Sequence, residues 1–517
     1  MSNSAILLNP PNPPGYVSNK DSMGGFGQLF HKGAPPFPPL DLPYLAGAVA
    51  EAGVPVEVLE AGAMRWTTDE VCERMLANPD ASQALVVVRT SLPTIDHDLE
   101  VCAAIRQRVN PGRIVMYGAA VKPLMARIRK DRVLDAVIIG EPDQPVLDML
   151  AGMPLSEIAG VNYREGAEWI ANAERPFNKA LDAMPFPRWD LLPHEKYTIP
   201  RSSAAGGEMR FLPMLSSRGC PFGCNYCPYP VGQGLPWRSR SAMNVVDEME
   251  HLIRDFGVEY VIFRDPLFSA NKKRVAEICT EIIRRKMQLT WRCETRIDCL
   301  DENTIALMAQ AGCSGVNFGV ESSDPEIQKN VERKPISEEQ FVSTIAMLRT
   351  HKISTFAFFV VGLPGDTVDT ILASIRFALK LGATWSQFTV ATPFIGTKLH
   401  DWAAQQGFIA KDRYTIVSSH EGSMGNENLT ASQVHMLHRF GQLLARNVMN
   451  RRGVLKNELR HDAFYTALRS SADFASRAGG GLIFAAGAAV FRLALHGSTR
   501  GPATKTRARA VVANTTA

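Results

Sequence analysis

Short apolar runs alternate with segments of helical spacing along most of this 517-residue chain, and this alternation limits the fold more than any other feature. In the first 150 residues, five apolar runs are predicted strands: Ala5–Leu8, Val56–Leu59, Leu85–Val88, Ile114–Tyr117 and Ala136–Ile139. Continuous apolar strands separated by helices are typical of a parallel sheet that is covered on both faces. The sequence therefore predicts an α/β fold that begins with a flavodoxin-like, doubly wound domain at residues 1–155.

The alternation stops over residues 156–210 and then starts again. The interruption contains a predicted hairpin around Glu165-Gly166-Ala167 and a proline-rich aromatic segment, which together indicate an ordered linker. Six further apolar runs predict strands at Phe211–Ser216, Tyr260–Arg264, Thr290–Cys293, Val316–Val320, Thr355–Val361 and Ser386–Val390. Six strand–helix units over residues 211–415 favour an open (βα)6 partial TIM barrel with its site at the C-terminal ends of the strands. Residues 416–517 are predicted to be mainly helical, with a basic tail.

Composition excludes several classes of protein. Hydrophobic residues make up 45% and charged residues 21% of the chain, which is ordinary globular usage and excludes wholesale disorder. No run reaches the roughly 20 apolar residues of a spanning helix, so a multi-pass membrane protein is not expected. Nine cysteines without an N-terminal signal pattern favour a reducing, cytoplasmic compartment. A net charge of +4 is too small to indicate a nucleic-acid partner.

Three of the nine cysteines are clustered. Cys220, Cys224 and Cys227 form a C-x3-C-x2-C loop directly after the first predicted barrel strand. Soft thiolates this close together are typical ligands of zinc or of an iron–sulfur cluster. Structural zinc usually takes four protein ligands, and the sequence offers neither a second C-x-x-C pair nor a histidine within 20 residues downstream. A 4Fe–4S cluster with one open iron is the favoured interpretation, while a three-cysteine zinc site and plain buried thiols remain alternatives.

This loop resembles the signature of the radical S-adenosylmethionine (SAM) superfamily, including the aromatic residue, here Tyr226, before the last cysteine. The resemblance extends over about residues 210–400. It implies that a 4Fe–4S cluster on the three cysteines chelates SAM through its open iron. It further implies that an electron from the cluster cleaves SAM to methionine and a 5′-deoxyadenosyl radical. An electron donor such as flavodoxin or ferredoxin would then be a partner.

Other segments are similar to further parts of that family's pattern. Asp265 ends the second strand in a family-like F-x-D-x-x-F context, and the resemblance places it near the SAM amino group. Arg296 closes the third strand and is a candidate for a bidentate pair with the SAM carboxylate. Glu321, in a G-x-E-S segment, is implied to lie near the ribose hydroxyls. A helix N-cap for Asp265 and a neighbouring acid as the partner of Arg296 are the alternatives.

The fifth barrel strand ends in a glycine-rich turn. In relatives this turn borders adenine, so Gly362 and Leu363 are implied adenine contacts. Glycine lets a backbone approach a flat ligand closely. The alternative is a plain turn in which Asp366 caps the next helix.

The first domain resembles the cobalamin-binding domains that are fused to radical SAM barrels. The resemblance rests on the proline-rich segment from Gly33 to Leu40, on Pro43-Tyr44-Leu45-Ala46, and on the Gly140-Glu141 turn, although Asp41 replaces the usual glycine. Residues of the loops that follow its strands are candidate cofactor contacts: Thr90, Ser91, Gly118 and Glu141. A degenerate domain that binds no cobalamin is the alternative.

The D-x-H-x-x-G motif that supplies a lower cobalt ligand in cobalamin mutases is absent from the sequence. His31 and His97 lack that context, and His97 is expected to be solvated or to cap a helix. Any bound cobalamin is therefore expected to lack a histidine ligand, with Thr90 and Ser91 near its lower face.

The resemblance implies a radical SAM enzyme that catalyses cobalamin-dependent methyl transfer to an unactivated carbon or phosphorus centre of a small or lipid-like molecule. Enzymes of this architecture also include the anaerobic magnesium-protoporphyrin cyclase and ring-rearrangement enzymes, so an oxidoreductase or cyclase remains an alternative, as does a non-catalytic cobalamin or Fe–S sensor. The motifs identify no acid, base or other catalytic residue. An apolar run at Gly480–Phe491 with the basic tail suggests peripheral membrane contact, and a buried packing helix is the competing interpretation.

Overall fold

The structure is a computed structural model that describes residues 4–200, 207–409 and 424–451. The strands of its first part are β1 (Ala5–Asn9), β2 (Tyr16–Asn19), β3 (Gln28–His31), β4 (Val56–Glu60), β5 (Leu85–Arg89), β6 (Arg113–Tyr117), β7 (Ala136–Ile138), β8 (Val161–Glu165) and β9 (Glu168–Ala171). The helices there are α1 (Ser22–Gly25, a single irregular turn), α2 (Leu42–Glu51), α3 (Ala61–Met64), α4 (Thr68–Ala77), α5 (Ile95–Arg108), α6 (Val121–Ile128) and α7 (Asp143–Leu150).

The first sheet has the strand order β4-β1-β5-β6-β7-β8-β9. Strands β4, β1, β5, β6 and β7 run parallel, which is the order 2-1-3-4-5 when these five are numbered along the chain. Every residue of β1 and of β5 is buried because helices cover both faces of the sheet. The predicted flavodoxin-like topology is confirmed.

The predicted hairpin is present but belongs to this sheet. Strands β8 and β9 pair with each other, and β8 also pairs antiparallel with β7, Ile138 lying opposite Val161. The sheet therefore continues to Ala171, past the end of the predicted domain at residue 155. Pairing with β8 satisfies the backbone groups on the open side of β7, which a hairpin inside a separate linker would leave unpaired.

The second part of the chain carries strands β10 (Thr198–Pro200), β11 (Glu208–Met214), β12 (Ser217–Arg218), β13 (Arg238–Ser239), β14 (Tyr260–Phe263), β15 (Thr290–Glu294), β16 (Cys313–Glu321), β17 (Ser354–Val361) and β18 (Trp385–Val390). Its helices are α8 (Tyr229–Gln233), α9 (Ala242–Phe256), α10 (Lys272–Arg284), α11 (Glu302–Gln310), α12 (Pro325–Asn330), α13 (Glu338–Thr350), α14 (Val368–Lys380), α15 (Lys398–Gln405) and α16 (Ala431–Arg451).

The second sheet has the order β10-β11-β14-β15-β16-β17-β18, with β11 and β14 to β18 parallel. Among the described residues no pairing joins β18 back to β11, so the barrel is open as predicted. Strand β10 adds antiparallel to β11 at one edge and was not predicted. Along β17 the burial alternates, as expected for a strand with one face packed against helices and the other turned to the barrel interior.

Helix α16 covers the opposite edge of this sheet. The Phe388 carbonyl in β18 accepts a hydrogen bond from His438 Nε2 at 2.9 Å, and the Phe388 N–H donates to Gln442 Oε1 at 3.3 Å. These side chains satisfy backbone groups at the edge of the sheet, which would otherwise be free to pair with a seventh parallel strand. The helix agrees with the predicted helical character of this region, whereas the apolar run at 480–491 and the basic tail lie outside the described residues.

The two sheets meet through an apolar contact. Phe26 of the first part and Phe394 of the second have ring centroids 5.6 Å apart, and Phe394 belongs to the hydrophobic core of the first sheet. Val231 and Ile395 pack against the same core. Contacts gather Met1–Met449 into one compact unit, and a second unit begins at Asn450. No helix in the described ranges is long and apolar enough to cross a membrane.

Candidate active site and cofactor face

The cysteine loop begins at the C-terminal end of β11. Strand β12 pairs with β13, Arg218 lying opposite Arg238, and so closes the base of the loop. Gly219, which starts the loop, has a φ of +78°, and a Cβ at this position would lie 2.3 Å from the Pro236 carbonyl oxygen. The chain can therefore enter the loop in this conformation only with glycine.

Cys220, Cys224 and Cys227 are free thiols that are buried or half-buried. Burial raises the pKa of the Cys227 thiol, and the nearby Cys224 and Cys220 thiols raise it further, so the three sulfurs share one environment. No three His, Cys, Asp or Glu side chains in the described parts of the chain are grouped tightly enough to hold one metal ion. A 4Fe–4S cluster takes one thiolate per iron, so its three sulfurs do not have to meet around a single ion.

Tyr226 lies half-buried between the cysteine loop and the barrel. It packs against an apolar group that includes Leu363 and Leu399. Burial and then the neighbouring Glu321 carboxylate raise the pKa of Tyr226 well above its usual value. The loop is also held by its backbone, since Asn225 N–H donates to the Val331 carbonyl at 3.1 Å. Tyr226 is thus brought next to Glu321.

Asp265 is fully buried after β14 and does not cap a helix. Its Oδ1 accepts from Ser216 N–H at 2.7 Å, and its Oδ2 accepts from the hydroxyls of Ser216 at 2.5 Å and Ser217 at 2.6 Å. Burial raises the pKa of Asp265, while Arg274 and these hydrogen bonds act in the opposite direction. The carboxylate therefore ties the end of β14 to the segment that leads into the cysteine loop, and its predicted contact with SAM stays a prediction.

Arg296 pairs with a neighbouring acid, the alternative partner from the sequence. Its Nε and Nη2 each donate to Asp298 at 2.9 Å, and Nη2 also donates to the Lys334 carbonyl at 3.2 Å. Its buried Nη1 has no hydrogen-bond partner among the described residues. The guanidinium lies over the Phe222 ring of the cysteine loop at 4.5 Å. Arg296 thus keeps one spare donor beside that loop.

Glu321 ends β16 with a φ of +66°, next to a register shift between Gly319 and Glu321. This conformation is uncommon for a residue with a side chain, and such backbone strain is concentrated at functional sites. Glu321 Oε1 lies 3.4 Å from Nη1 of Arg333, a buried arginine that the sequence analysis did not identify. No motif in the sequence marks Arg333, which lies shortly after the end of α12.

The turn at Gly362 and Leu363 is closed from inside by Asp366. Asp366 Oδ2 accepts the N–H groups of both residues at 3.0 Å, and burial raises the pKa of Asp366 to about 7. Helix α14 is capped by Thr367, so Asp366 holds the turn and is not the helix cap. Asn426, also not identified from the sequence, donates to the Leu363 carbonyl at 2.8 Å and thereby links the C-terminal segment to this turn.

The cobalamin-face candidates lie at the strand ends of the first sheet. Thr90 Oγ1 donates to the buried Asp98 at 2.7 Å, and the Ser91 and Thr94 hydroxyls are 2.9 Å apart. Gly118 passes over Thr90 so closely that a Cβ would lie 2.3 Å from the Thr90 carbonyl oxygen. Three of the candidates, Thr90, Gly118 and Glu141, line one cleft, and Ser91 is not among its lining residues.

This cleft lies between the first sheet and the cysteine loop. Gly24, Gly25 and Gly140 line it on the side of the first sheet, together with charged side chains such as Asp21 and Arg89, and Arg218 and Gln233 line the side of the cysteine loop. Its volume is about 110 Å³, below the roughly 300–1,000 Å³ of typical small-molecule pockets. Neither His31 nor His97 lines it. A corrin would need the two walls of this cleft to move apart.

Glu141 joins these two walls. It accepts hydrogen bonds from Arg218 at 3.0 Å, from Arg238 at 2.8 Å and from Asn178 N–H at 2.8 Å. Burial alone would raise the pKa of Glu141, but the two guanidinium groups lower it below its usual value. In this structure Glu141 thus anchors the base of the cysteine loop to the first sheet.

Comparison with known proteins agrees with this geometry. The model of the radical SAM superfamily matches residues 214–378, from the last residue of β11 into α14. These residues form a radical SAM domain. This domain thus contains the cysteine loop, Asp265, Arg296 and Glu321, together with the turn at 362–365.

Two similar curated proteins are named for different reactions. An uncharacterized methyltransferase of Pyrococcus horikoshii is 28% identical over 407 residues, which is 77% of this chain and 86% of that protein. The anaerobic magnesium-protoporphyrin IX monomethyl ester cyclase of Rubrivivax gelatinosus is 27% identical over 69% of this chain, an alignment that covers 65% of the cyclase.

Among solved structures, the radical SAM methyltransferase TsrM of Kitasatospora setae, solved with cobalamin and a [4Fe–4S] cluster bound, has a TM-score of 0.62. It is 20% identical and covers 79% of this chain and 75% of its own. At this identity the similarity shows a shared fold, which is the flavodoxin-like domain followed by the open barrel of the radical SAM domain.

Proposed function

We propose that this chain is a radical SAM enzyme that binds a 4Fe–4S cluster through Cys220, Cys224 and Cys227 and cleaves SAM reductively. The reaction that fits best is cobalamin-dependent methyl transfer to an unactivated carbon or phosphorus centre of a small molecule. The observation that carries this proposal is the three-thiol loop at the C-terminal edge of an open parallel barrel, whose base at Arg218 lines a cleft with the strand ends of a flavodoxin-like domain.

The arrangement of the barrel residues supports SAM binding beside the loop. Carboxyl ends of parallel strands meet at one edge, so Arg296 after β15, Glu321 at the end of β16 and the turn after β17 surround the same space. The spare Nη1 of Arg296 would bind the SAM carboxylate, Glu321 would accept from the ribose hydroxyls, and the backbone at Gly362 would approach adenine. When bound, the cluster supplies the electron that cleaves the sulfonium.

The protein's own residues hold the loop and exclude water. The Asn225 carbonyl accepts from Leu399 N–H at 3.0 Å, and Asn225 Nδ2 donates to the Asn330 carbonyl at 3.0 Å. Tyr226 and its apolar neighbours fill the space behind the loop. A radical reaction needs such exclusion of water because reactive intermediates are otherwise lost to side reactions.

Cobalamin is proposed for the glycine-lined cleft, with Thr90, Gly118 and Glu141 as contacts and with no histidine ligand to cobalt. The flavodoxin-like fold, which binds ligands at strand ends, supports this placement, as does the bound cobalamin in TsrM. Cobalamin would supply a carrier for the methyl group. Its binding requires the cleft to widen from its present volume.

Reductive SAM cleavage tests the enzyme proposal. Protein reconstituted anaerobically with iron and sulfide is incubated with SAM and dithionite, and 5′-deoxyadenosine is measured. We expect it to form in the wild type and to be absent from a C224A variant. A cluster-loaded protein that forms none would indicate a sensor instead.

SAM labelled on its methyl group tests the methyl-transfer step. Label in the product is expected, and its transfer should depend on added cobalamin. The second candidate, an oxidative cyclisation, is favoured by the similarity to the cyclase of Rubrivivax gelatinosus. An unlabelled, oxidised product would support that candidate over methyl transfer.

A further inference from the structure

A buried arginine lies against the cysteine loop without any role in the proposed SAM contacts. Arg333 is 7% exposed and follows α12 in a segment that Gln328 holds in place. Its N–H donates to the Gln328 carbonyl at 3.0 Å, and the Gln328 side chain bonds Ser322 and Ile336. The position of Arg333 is therefore set by several hydrogen bonds.

The guanidinium is only partly satisfied. Nη2 donates to the Gly319 carbonyl at 2.6 Å, and Nη1 lies 3.4 Å from Glu321 Oε1. The buried Nε has no hydrogen-bond partner among the described residues. A buried donor without a partner is costly, and a redox or catalytic role is one of the reasons for which native proteins keep such groups.

The cysteine loop is pinned to the segment that precedes Arg333, because Asn225 bonds the carbonyls of Asn330 and Val331. This places the guanidinium beside Cys224. The Arg333 side chain donates a hydrogen bond to the Cys224 sulfur. A positive charge and an N–H donor beside a sulfur favour negative charge on it.

Arg296 also lies near the loop, but its positive charge is neutralised by Asp298. Its two 2.9 Å hydrogen bonds to Asp298 form a closed ion pair. Arg333 has only the longer contact to Glu321, so more of its positive charge acts on the sulfurs. In a buried site such a charge is weakly screened.

We propose that Arg333 raises the reduction potential of the cluster bound at Cys220, Cys224 and Cys227 by placing a positive charge and an N–H donor beside the Cys224 sulfur. This rests on the proposed function, since it assumes that the loop holds a 4Fe–4S cluster. Reduction adds one electron to the cluster and makes it more negative. Proteins set the reduction potential of such a cluster through its net charge and through hydrogen bonds to its sulfurs.

The test is a redox titration of the full-length, reconstituted protein with dithionite as the reductant, followed by the EPR signal of the reduced cluster. R333Q is expected to lower the midpoint enough to change the reduced-to-oxidised ratio at least tenfold at a fixed potential, about 59 mV for one electron. R333K keeps the charge and is expected to stay near the wild type. Iron and sulfide contents show that each variant carries the cluster.

The matched control is R292Q. Arg292 is a half-buried barrel arginine whose Nε has no hydrogen-bond partner in the described part of the chain, and its guanidinium lies over the Phe356 ring at 4.2 Å. Loss of the Arg292 charge is expected to leave the midpoint potential of the cluster unchanged. An equal shift in R292Q and R333Q, or no shift in a cluster-loaded R333Q, would overturn the proposal.

If R333Q fails to bind the cluster, the double variant E321Q/R333Q, which leaves no unpaired buried charge, is compared with E321Q. The midpoint of the double variant is expected to be lower than that of E321Q, and equal midpoints would overturn the proposal. A wild-type protein that binds no cluster refutes the proposed function itself. If the wild type cleaves SAM and the Arg333 variants have the same midpoint potential as the wild type, only the role of Arg333 is refuted.

Discussion

The cysteines of this chain differ in their surroundings as well as their spacing. Cys220, Cys224 and Cys227 lie in a loop at the edge of the barrel, whereas Cys279 is fully buried in α10. Sulfur in a packed core acts as a small apolar group, while sulfur in such a loop is available as a ligand.

Alanine at any of the three loop cysteines is therefore expected to abolish the broad visible absorption band of the cluster. C279A is the control and is expected to keep the band, because that sulfur only packs. Absorption spectra and iron content of anaerobically purified protein check both. Retention of the full band in C224A would contradict the assignment of the ligands.

Asp366 makes stability depend on pH. Its folded pKa of about 7 lies above the ordinary 3.8, so the unfolded chain ionises first as the pH rises. The stabilising effect of the protonated form is complete below pH ~4 and is lost as the pH rises to about 7, with a slope of up to about 1.4 kcal/mol per pH unit.

D366N removes this titration while keeping an oxygen for the N–H groups of Gly362 and Leu363. Its free energy of unfolding is expected to fall less steeply than that of the wild type between pH 5 and pH 7. Urea unfolding at several pH values measures both slopes. Parallel curves for the two proteins would show that the ionisation of Asp366 does not contribute.

At the scale of elements, the cysteine loop contains two glycines with different constraints. At Gly219 a Cβ would meet the Pro236 carbonyl oxygen at 2.3 Å, and its φ is positive. At Gly223 the nearest atom is a flexible Leu235 methyl carbon at 3.7 Å, which is ordinary contact. The left-handed conformation alone costs a residue with a side chain roughly 1–2 kcal/mol.

G219A is expected to distort the loop and to reduce the bound iron per chain severalfold. G223A is the matched control and is expected to bind iron as the wild type does. Iron and sulfide analysis after identical reconstitution measures the difference. Equal iron content in both variants would mean that the entry to the loop tolerates a side chain.

At the scale of the whole molecule, Glu141 joins the first sheet to the base of the cysteine loop through Arg218 and Arg238. Removing one partner of a largely buried ion pair is strongly destabilising because the other charge is left unpaired. The exposed pair of Lys122 and Glu174 offers a comparison, since exposed pairs contribute about 0–1 kcal/mol.

E141A is expected to lower the free energy of unfolding by about 3 kcal/mol, and E174A by less than about 1 kcal/mol. Chemical denaturation of both variants beside the wild type checks the difference. Limited proteolysis between the two sheets is also expected to become faster in E141A. Equal stability of the two variants would show that the Glu141 contact does not hold the sheets together.

Much of the architecture was already determined by the sequence. Apolar runs of strand length and helical spacing predicted the five parallel strands of the first sheet, the six of the barrel and the cysteine loop after β11, because burial and side-chain period are local properties. The short β10 and the β2–β3 ladder carry too little apolar pattern to be recognised.

Partners in space were decided by the tertiary structure alone. Spacing predicted that Arg296, Glu321 and Glu141 lie at strand ends, but not that Asp298, Arg333 and Arg218 would meet them. The same holds for Asn426, which reaches the Leu363 turn from 63 residues away. Buried charges and donors take whichever partner the packed chain brings within reach, and that choice depends on contacts between distant segments, which no local pattern encodes.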